Sequence, residues 1–252
     1  MRTELLGVPV DILTMSETLH KIELAIISRI RLQHVALNVA KLVSLQENND
    51  LKEDVKSADI VGIDGMGIVL ALGMLGHKNI PRVAGVDLMS NVLELCASKG
   101  FRPYILGARP EIVQQSVNVA TLRYPNLKFA GYRDGYFSDD DEQNVMDQIR
   151  LSNADCLFIG MPTPRKEHIL RVWRDRLGVP FIMGVGGSID VLAGFTKRAP
   201  QWMQSTGFEW VYRIYQEPGR MWWRYVSTNA KFAFLLLGLI AAKVGEQNNR
   251  IS

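Results

Sequence analysis

The feature that most restricts how this 252-residue chain can fold is a recurring unit: a short apolar run, a turn containing glycine, asparagine or aspartate, then a stretch with helical periodicity. His34–Val39, Asp59–Ile63, Tyr104–Leu106, Leu127–Tyr132, Asp155–Met161 and Pro180–Met183 read as the strands of such units. Strands that alternate with helices are joined most economically as a parallel sheet with helices on its faces. The expected fold class is therefore α/β, a Rossmann-like, mostly parallel sheet whose ligands belong at the carboxyl ends of the strands. Ahead of it, LLGVPVDIL reads as a short strand or hairpin arm, and Ser16 to about Ile30 as an amphipathic helix capped by Ser16. Past Gln201 the pattern is helical only, which divides the chain into an α/β domain over 1–200 and a helical appendage over 201–252.

The segment FIMGVGGSIDVLAGFTKR, Phe181 to Arg198, is the leading candidate for holding an anion. Glycines such as Gly184, Gly186 and Gly187 let the backbone turn with positive φ and approach a ligand, and a helix opening at Ser188–Asp190 would aim free N–H groups into the turn. The same pattern also serves plain chain reversal. Lys197 and Arg198 downstream favour the anion-binding reading.

Net charge is +3 and unevenly spread. Between Lys197 and Lys231 lie six basic residues (Lys197, Arg198, Arg213, Arg220, Arg224, Lys231) against two acidic ones (Glu209, Glu217), together with Trp202, Trp210, Trp222 and Trp223. Aromatic rings interleaved with arginines suit a membrane interface, the cations meeting anionic lipid or a diphosphate. They also suit stacking on single-stranded nucleic acid, or a packed helix pair with solvated arginines. Phe232–Ala242 is the most apolar run but, at 11 residues, falls short of the roughly 20 that span a bilayer. Attachment to one leaflet is expected rather than crossing. The N-terminus shows no cleavable signal pattern, and Cys96 and Cys156 sit in apolar runs as expected of free thiols in a reducing compartment, so the chain reads as cytoplasmic.

No G-x-G-x-x-G follows the first strand, and neither a Walker A sequence nor zinc-ligand spacing occurs. Asp139-Asp140-Asp141 resembles a metal-binding D-x-D, yet Ser138 followed by DDDE ahead of a helical run is what a helix start requires. Asp64, at a strand's carboxyl end between small residues Gly65 and Gly67, could meet a substrate hydroxyl as a general base; it could equally cap the helix beginning near Met66. Arg82, Asp87, Arg109 and Lys166 add charge near other strand ends, Arg220 and Arg224 share a helix face, and Pro218-Gly219 should break the helix that contains Arg213.

In order along the chain, Leu37-Asn38, Ala58-Asp59, Asp64-Gly65-Met66-Gly67, Arg82 with Gly85-x-Asp87-Leu88, Leu106-Gly107, Gly131 with Asp134-Gly135-Tyr136-Phe137, Pro164 with Lys166-Glu167, GVGGSID, RAPQWMQ, Gly207-x-Glu209-Trp210 and Gln216-Glu217-Pro218-x-Arg220 resemble the WecG/TagA/CpsF glycosyltransferase family. The match runs from about Leu6 to Arg224. The resemblance implies an inverting transferase that moves a hexose or N-acetylhexosamine (glucose, N-acetylmannosamine or its uronic acid) from a UDP-sugar onto an undecaprenyl-diphosphate-linked sugar. It implies action at the cytoplasmic face of the plasma membrane, as a peripheral protein. Asp64 would be the base; Asn38, Arg82, Lys166, Glu167, Arg213, Arg220 and Arg224 would contact substrate; Gly107, Tyr136, Gly186, Gly187 and Asp190 would hold the nucleotide. No metal or other cofactor and no nucleic-acid partner is implied, and a homo-oligomer is left open. Ala36 and Lys166 stand where the family often has Thr and Gln. The alternative is a non-catalytic, membrane-associated binder of lipid-linked glycans or anionic lipid.

Overall fold

The computed structural model describes residues 1–249, except for the side chains at 205, 220, 221, 224, 240 and 242–249. The side chains of Arg220 and Arg224 therefore lie outside the described residues. The chain opens with a hairpin, β1 (Arg2–Leu5) and β2 (Val8–Asp11), and then α1 (Met15–Ile27). Thr14, not Ser16, caps α1. Its Oγ1 accepts the Glu17 N–H at 3.2 Å while the Glu17 carboxylate accepts the Thr14 N–H at 2.8 Å, a reciprocal box that starts the helix two residues early.

Next come β3 (Leu32–Leu37), α2 (Val39–Glu47), α3 (Asn49–Lys56), β4 (Ile60–Ile63), α4 (Met66–Met74), α5 (Gly85–Lys99), β5 (Pro103–Gly107), α6 (Pro110–Arg123) and β6 (Gly131–Arg133). The α/β part closes with α7 (Asp139–Leu151), β7 (Cys156–Gly160), α8 (Arg165–Trp173), β8 (Phe181–Gly184) and α9 (Ser188–Leu192). Helices α10 (Gln201–Thr206), α11 (Glu209–Gln216) and α12 (Pro218–Asn249) follow, with the break at Pro218 where the sequence places it. The strand expected over 127–132 shrinks to three residues because β6 is a sheet edge paired only with β5 and Leu127 is drawn into a turn by its N–H bond to Tyr124 O.

The eight strands form one sheet in the order β1-β2-β4-β3-β8-β7-β5-β6, parallel throughout except for the β1–β2 hairpin. Alternate side chains feed opposite layers. Cys156, Phe158, Phe181 and Met183 enter a core beneath α1, α5, α6 and α9, whereas Leu157, Ile159 and Ile182 enter one beneath α7 and α8. The free thiols Cys96 and Cys156 are both buried, 3.6 Å apart. Ser138 caps α7 by accepting the Asp141 N–H at 3.3 Å, so DDDE does begin a helix.

A third core, under α2, α3 and α4, also takes in α12. Phe232 is buried there, and Leu235, Leu236 and Leu239 pack beside it, the i, i+3, i+4, i+7 stripe of a protein-facing helix. Phe234 and Leu237 on the other side are exposed. The apolar run is thus split between the protein and the outside, and among the described residues no helix is long and apolar enough to cross a membrane. Phe232→Ala should cost about 3–5 kcal/mol, lowering Tm in calorimetry by roughly 6–20 °C for a chain of this size; an unchanged Tm would mean that α12 is not docked on α2.

Candidate active site

Two clusters of polar groups form at the carboxyl ends of the strands. The first is built on Asp64, which follows β4. Its N–H bonds Leu37 O at 3.0 Å, tying it to the end of β3. Its Oδ1 accepts the N–H of Gly85 at 2.8 Å, the first residue of the 15-residue α5, where the helix dipole favours an anion. Its Oδ2 takes only a long contact, 3.4 Å, from Asn38 Nδ2. Asp64 therefore sits at the start of α5 and does not cap the Met66 helix, whose cap residue Gly65 makes no side-chain bond. Asn38 caps α2 by accepting the Lys41 N–H with its Oδ1 at 3.0 Å, which fixes the amide that faces Asp64.

Arg82 is anchored by protein groups on all sides. Nε donates to Asp64 O at 2.6 Å, Nη1 to Gln204 O at 2.8 Å and Nη2 to Glu209 Oε2 at 2.8 Å. It fastens the Asp64 loop to α10 and α11. Nearby, Arg198 forks onto Asp87, so the cation expected to serve the glycine turn is engaged by a carboxylate at the start of α5. Arg109 is exposed and pairs with Glu111. Arg213 lies half-buried on α11, 4.0 Å from Glu209.

From Asn38 the network continues along α2 to Lys41, a residue that no sequence motif singles out. Lys41 Nζ lies 3.0 Å from Glu167 Oε1, and Lys166 Nζ lies 2.9 Å from the same oxygen and 2.6 Å from Thr163 Oγ1. Thr163 Oγ1 also donates to Glu167 Oε1 at 3.2 Å. Glu167 is 3% exposed, and among the described residues its Oε2 has no partner. The stem of Lys166 rests on Gly184, the last residue of β8. Burial pushes the Lys166 pKa down to about 8, with Lys41 adding to the shift and Glu167 opposing it. Burial raises Glu167, but the two ammonium groups outweigh it and hold the carboxyl below its ordinary range. His34, buried on β3, is lowered to about 4 by desolvation and so is neutral. The cap bond from Asn38 uses the Lys41 backbone N–H, which any residue supplies, so nothing in the sequence points the Lys41 side chain at Glu167.

The second cluster contains the glycine turns. Gly107, at φ +134°, is in a conformation closed to other residues, and a Cβ there would lie 2.6 Å from the backbone of Gly160. The turn is fastened to the next loop by Gly135 N–H to Ala108 O at 3.0 Å, with Gly135 close against Gly107 and followed by Tyr136, 71% exposed. Gly160 in turn abuts Gly186 O and Ile189. Gly186, at φ +52°, and Gly187 have open space where a side chain would stand, while Asp190 lies half-buried one turn on. The helix after the turn, α9, is only five residues long, so its dipole is slight and individual N–H groups are what the turn has to offer. The two clusters meet at β8. Asp64 and the turn after β8 are separated by β3 alone, two strand spacings or about 10 Å.

The sequence model of the glycosyl transferase WecG/TagA/CpsF family matches residues 3–246. A Bacillus subtilis (strain 168) relative, described as an N-acetylglucosaminyldiphosphoundecaprenol N-acetyl-beta-D-mannosaminyltransferase, is 31% identical over 191 residues, 76% of this chain and 73% of that one.

Because the unfolded chain binds the Lys166 proton up to about pH 10.5 and the folded chain only up to about 8, stability contributed by this group should rise with pH between those values. Urea unfolding at pH 7 and 9.5 should show the native protein gaining on the order of 1–2 kcal/mol relative to Lys166→Met. Equal gains in both proteins would place Lys166 in a solvated environment.

Proposed function

The chain belongs to the WecG/TagA/CpsF glycosyltransferase family, and from that premise we propose that it moves a hexose or N-acetylhexosamine from a UDP-sugar to an undecaprenyl-diphosphate-linked sugar, with inversion. The B. subtilis relative supports this reading through the lipid-linked acceptor in its description. The observation that carries it is the state of Asp64. One carboxylate oxygen is pinned at 2.8 Å by a helix-terminal N–H, and the other, held only loosely at 3.4 Å, keeps lone pairs for a substrate proton.

In the proposed reaction the acceptor hydroxyl passes its proton to Asp64 Oδ2 as its oxygen attacks the anomeric carbon from the face opposite UDP. The bond from that carbon to the diphosphate oxygen breaks, and UDP leaves with the electron pair. Attack and departure on opposite faces account for inversion. The base and the leaving group must then stand on either side of one sugar ring, which the separation of about 10 Å between Asp64 and the glycine turn allows. The nucleotide falls to Gly107, Tyr136, Gly186, Gly187 and Asp190, whose elements adjoin one another. Developing charge on the diphosphate would be met by preorganised N–H groups of the turn.

The segment 201–252 is proposed as the part that meets the membrane at its cytoplasmic face, with Arg213, Arg220 and Arg224 serving the acceptor diphosphate. Trp202, Phe208, Trp222 and Trp223 are exposed, and rings of that kind partition to the headgroup zone. The appendage also carries the Arg82 partners, so membrane contact and base positioning share one element.

Asp64→Asn should reduce turnover roughly 10²- to 10⁴-fold with UDP-sugar affinity within a few-fold of native, measured by product mass analysis and calorimetry; undiminished turnover would remove Asp64 from the chemistry. Replacing Trp222 and Trp223 by Ser should weaken co-sedimentation with anionic liposomes without changing Tm, since both rings are exposed. Full retention on the liposomes would put the lipid contact elsewhere.

A further inference from the structure

Of the four histidines only His34 is buried, 1% exposed on β3, and among the described residues neither of its ring nitrogens has a hydrogen-bond partner. Buried polar atoms are seldom left that way, because each gives up its bonds to water. Packing does not call for a polar ring here. Leu32, Phe181 and Met183 share its face of the sheet, and a phenylalanine or leucine would fill the same place without the desolvation that lowers the imidazole's pKa to about 4.

The ring points up the sheet toward the base. His34 and Ala36 lie on one face of β3, and the register carries that face across to Ile60 and Gly62 on β4, with Asp64 next in line. Nε2 lies 2.5 Å from the point at which a Gly62 Cβ would stand, so the imidazole occupies the space of the missing side chain. Asp64 is two residues, about 6–7 Å, further along. What lies between is small. Gly62 and Gly85 have no side chain and Ala36 has only a methyl group; a Cβ on Gly85 would fall 3.7 Å from Ala36 Cβ and 3.9 Å from Asp64 Oδ1. Ala36 is half-buried, so water reaches this depth of the cleft. A gap of that length is bridged by one water making two hydrogen bonds of about 2.8–2.9 Å.

The charged groups that act on His34 are committed elsewhere. Asp11 accepts from Arg2 and from the Val61 N–H, and Lys41 is paired with Glu167. Around Asp64, Arg82 is paired with Glu209 and Arg198 with Asp87. Asp64 Oδ1, by contrast, takes a single N–H, from Gly85, and a carboxylate oxygen has room for a second donor.

We propose that His34 is a positioning residue for the base: its Nε2–H donates to a buried water, and that water donates to Asp64 Oδ1. Oδ1 is then held from two sides and Oδ2 is the oxygen left facing the acceptor. No proton passes along this chain, and the imidazole stays neutral throughout. The purpose given to His34 rests on Asp64 being the base of the proposed transfer, but the bridge itself is measurable without any substrate.

Ring-nitrogen NMR of the full chain tests it, His34 being recognised as a histidine still neutral at about pH 5. Its proton should reside on Nε2, and its ring signals should move in Asp64→Asn. Signals that stay in place, or a proton on Nδ1, overturn the proposal. Turnover is then compared in His34→Phe and His34→Gln, using UDP-glucose, UDP-N-acetylmannosamine and its uronate with a short-chain prenyl-diphosphate glycan. Phe should lower kcat roughly 3- to 10-fold, as the loss of one hydrogen bond to the base implies, with KM for the UDP-sugar within about twofold. Gln, which restores an N–H of similar reach, should recover most of the loss. Native turnover in the Phe variant, or a Gln variant as slow as Phe, would make the ring a packing piece and overturn the proposal. Absence of transfer from all three sugars counts against the transferase reading alone. The ring signals of the native chain and Asp64→Asn decide the matter for His34 in that case, and equally if the Phe variant fails to fold.

Discussion

The parallel pairing of β3 with β8 is the constraint from which the site follows. Leu32 to Val35 align with Phe181 to Gly184, joining segments about 150 residues apart in the chain. Pairing at that separation needs many residues ordered before it is rewarded, so it rests on the rest of the sheet and on the cores to either side. Its consequence is local. The end of β3 leads through Asn38 into α2, the end of β8 leads into the glycine turn, and Lys41 can then reach Glu167, 126 residues away in sequence. The face that Asn38 shares with Asp64 is set by the neighbouring β3–β4 register, Leu37 opposite Ile63, and a slip of one residue there would turn Asn38 away from it.

Arg82 extends the same logic to the C-terminal helices. Its three donors go to the Asp64 carbonyl, to α10 and to α11, so the Asp64 loop and the appendage are set by one planar group. A partly buried ion pair such as Arg82–Glu209 adds little net stability, because desolvation offsets the attraction, but it does fix geometry. With Phe232 in the α2–α4 core, the appendage is attached at two separate points to elements that carry site residues. The resemblance assigns Arg82 to substrate; the geometry makes it first a joint, and any substrate it touches would meet a side chain that is already oriented.

The parallel sheet is legible in the sequence because each strand is a short apolar run with a turn after it, and because Pro110, Ser138 and Pro218 mark helix starts by local chemistry alone. The start of α1 is easily misplaced since Ser16 and Thr14 are both competent caps, and only Glu17, three residues past Thr14, decides between them. Edge strand β6 reads too long because an apolar run cannot reveal that it has one neighbour instead of two. At the site, Asp64 and the glycine turn stand out through their small neighbours. The partners of Arg82, Arg198 and Lys41 do not, because each is an ion pair between residues more than 100 positions apart, and charge alone carries no address.

The distribution of counter-charge sets Asp64, the base of the proposed reaction, apart from the other carboxylates near the strand ends. Asp87 has Arg198, Glu209 has Arg82, and Glu167 has two lysines. A carboxylate in contact with a cation is held in its ionised form and is a poor proton acceptor, because the product of the transfer loses the pair. Among the described residues Asp64 has no cation within ion-pair distance; it is oriented by neutral N–H donors, one strong and one weak. These donors fix where the carboxylate points and leave Oδ2 the less engaged of its two oxygens. The cations of the site are thereby engaged by other carboxylates, and the group to which the proposed reaction assigns the proton is positioned by amides.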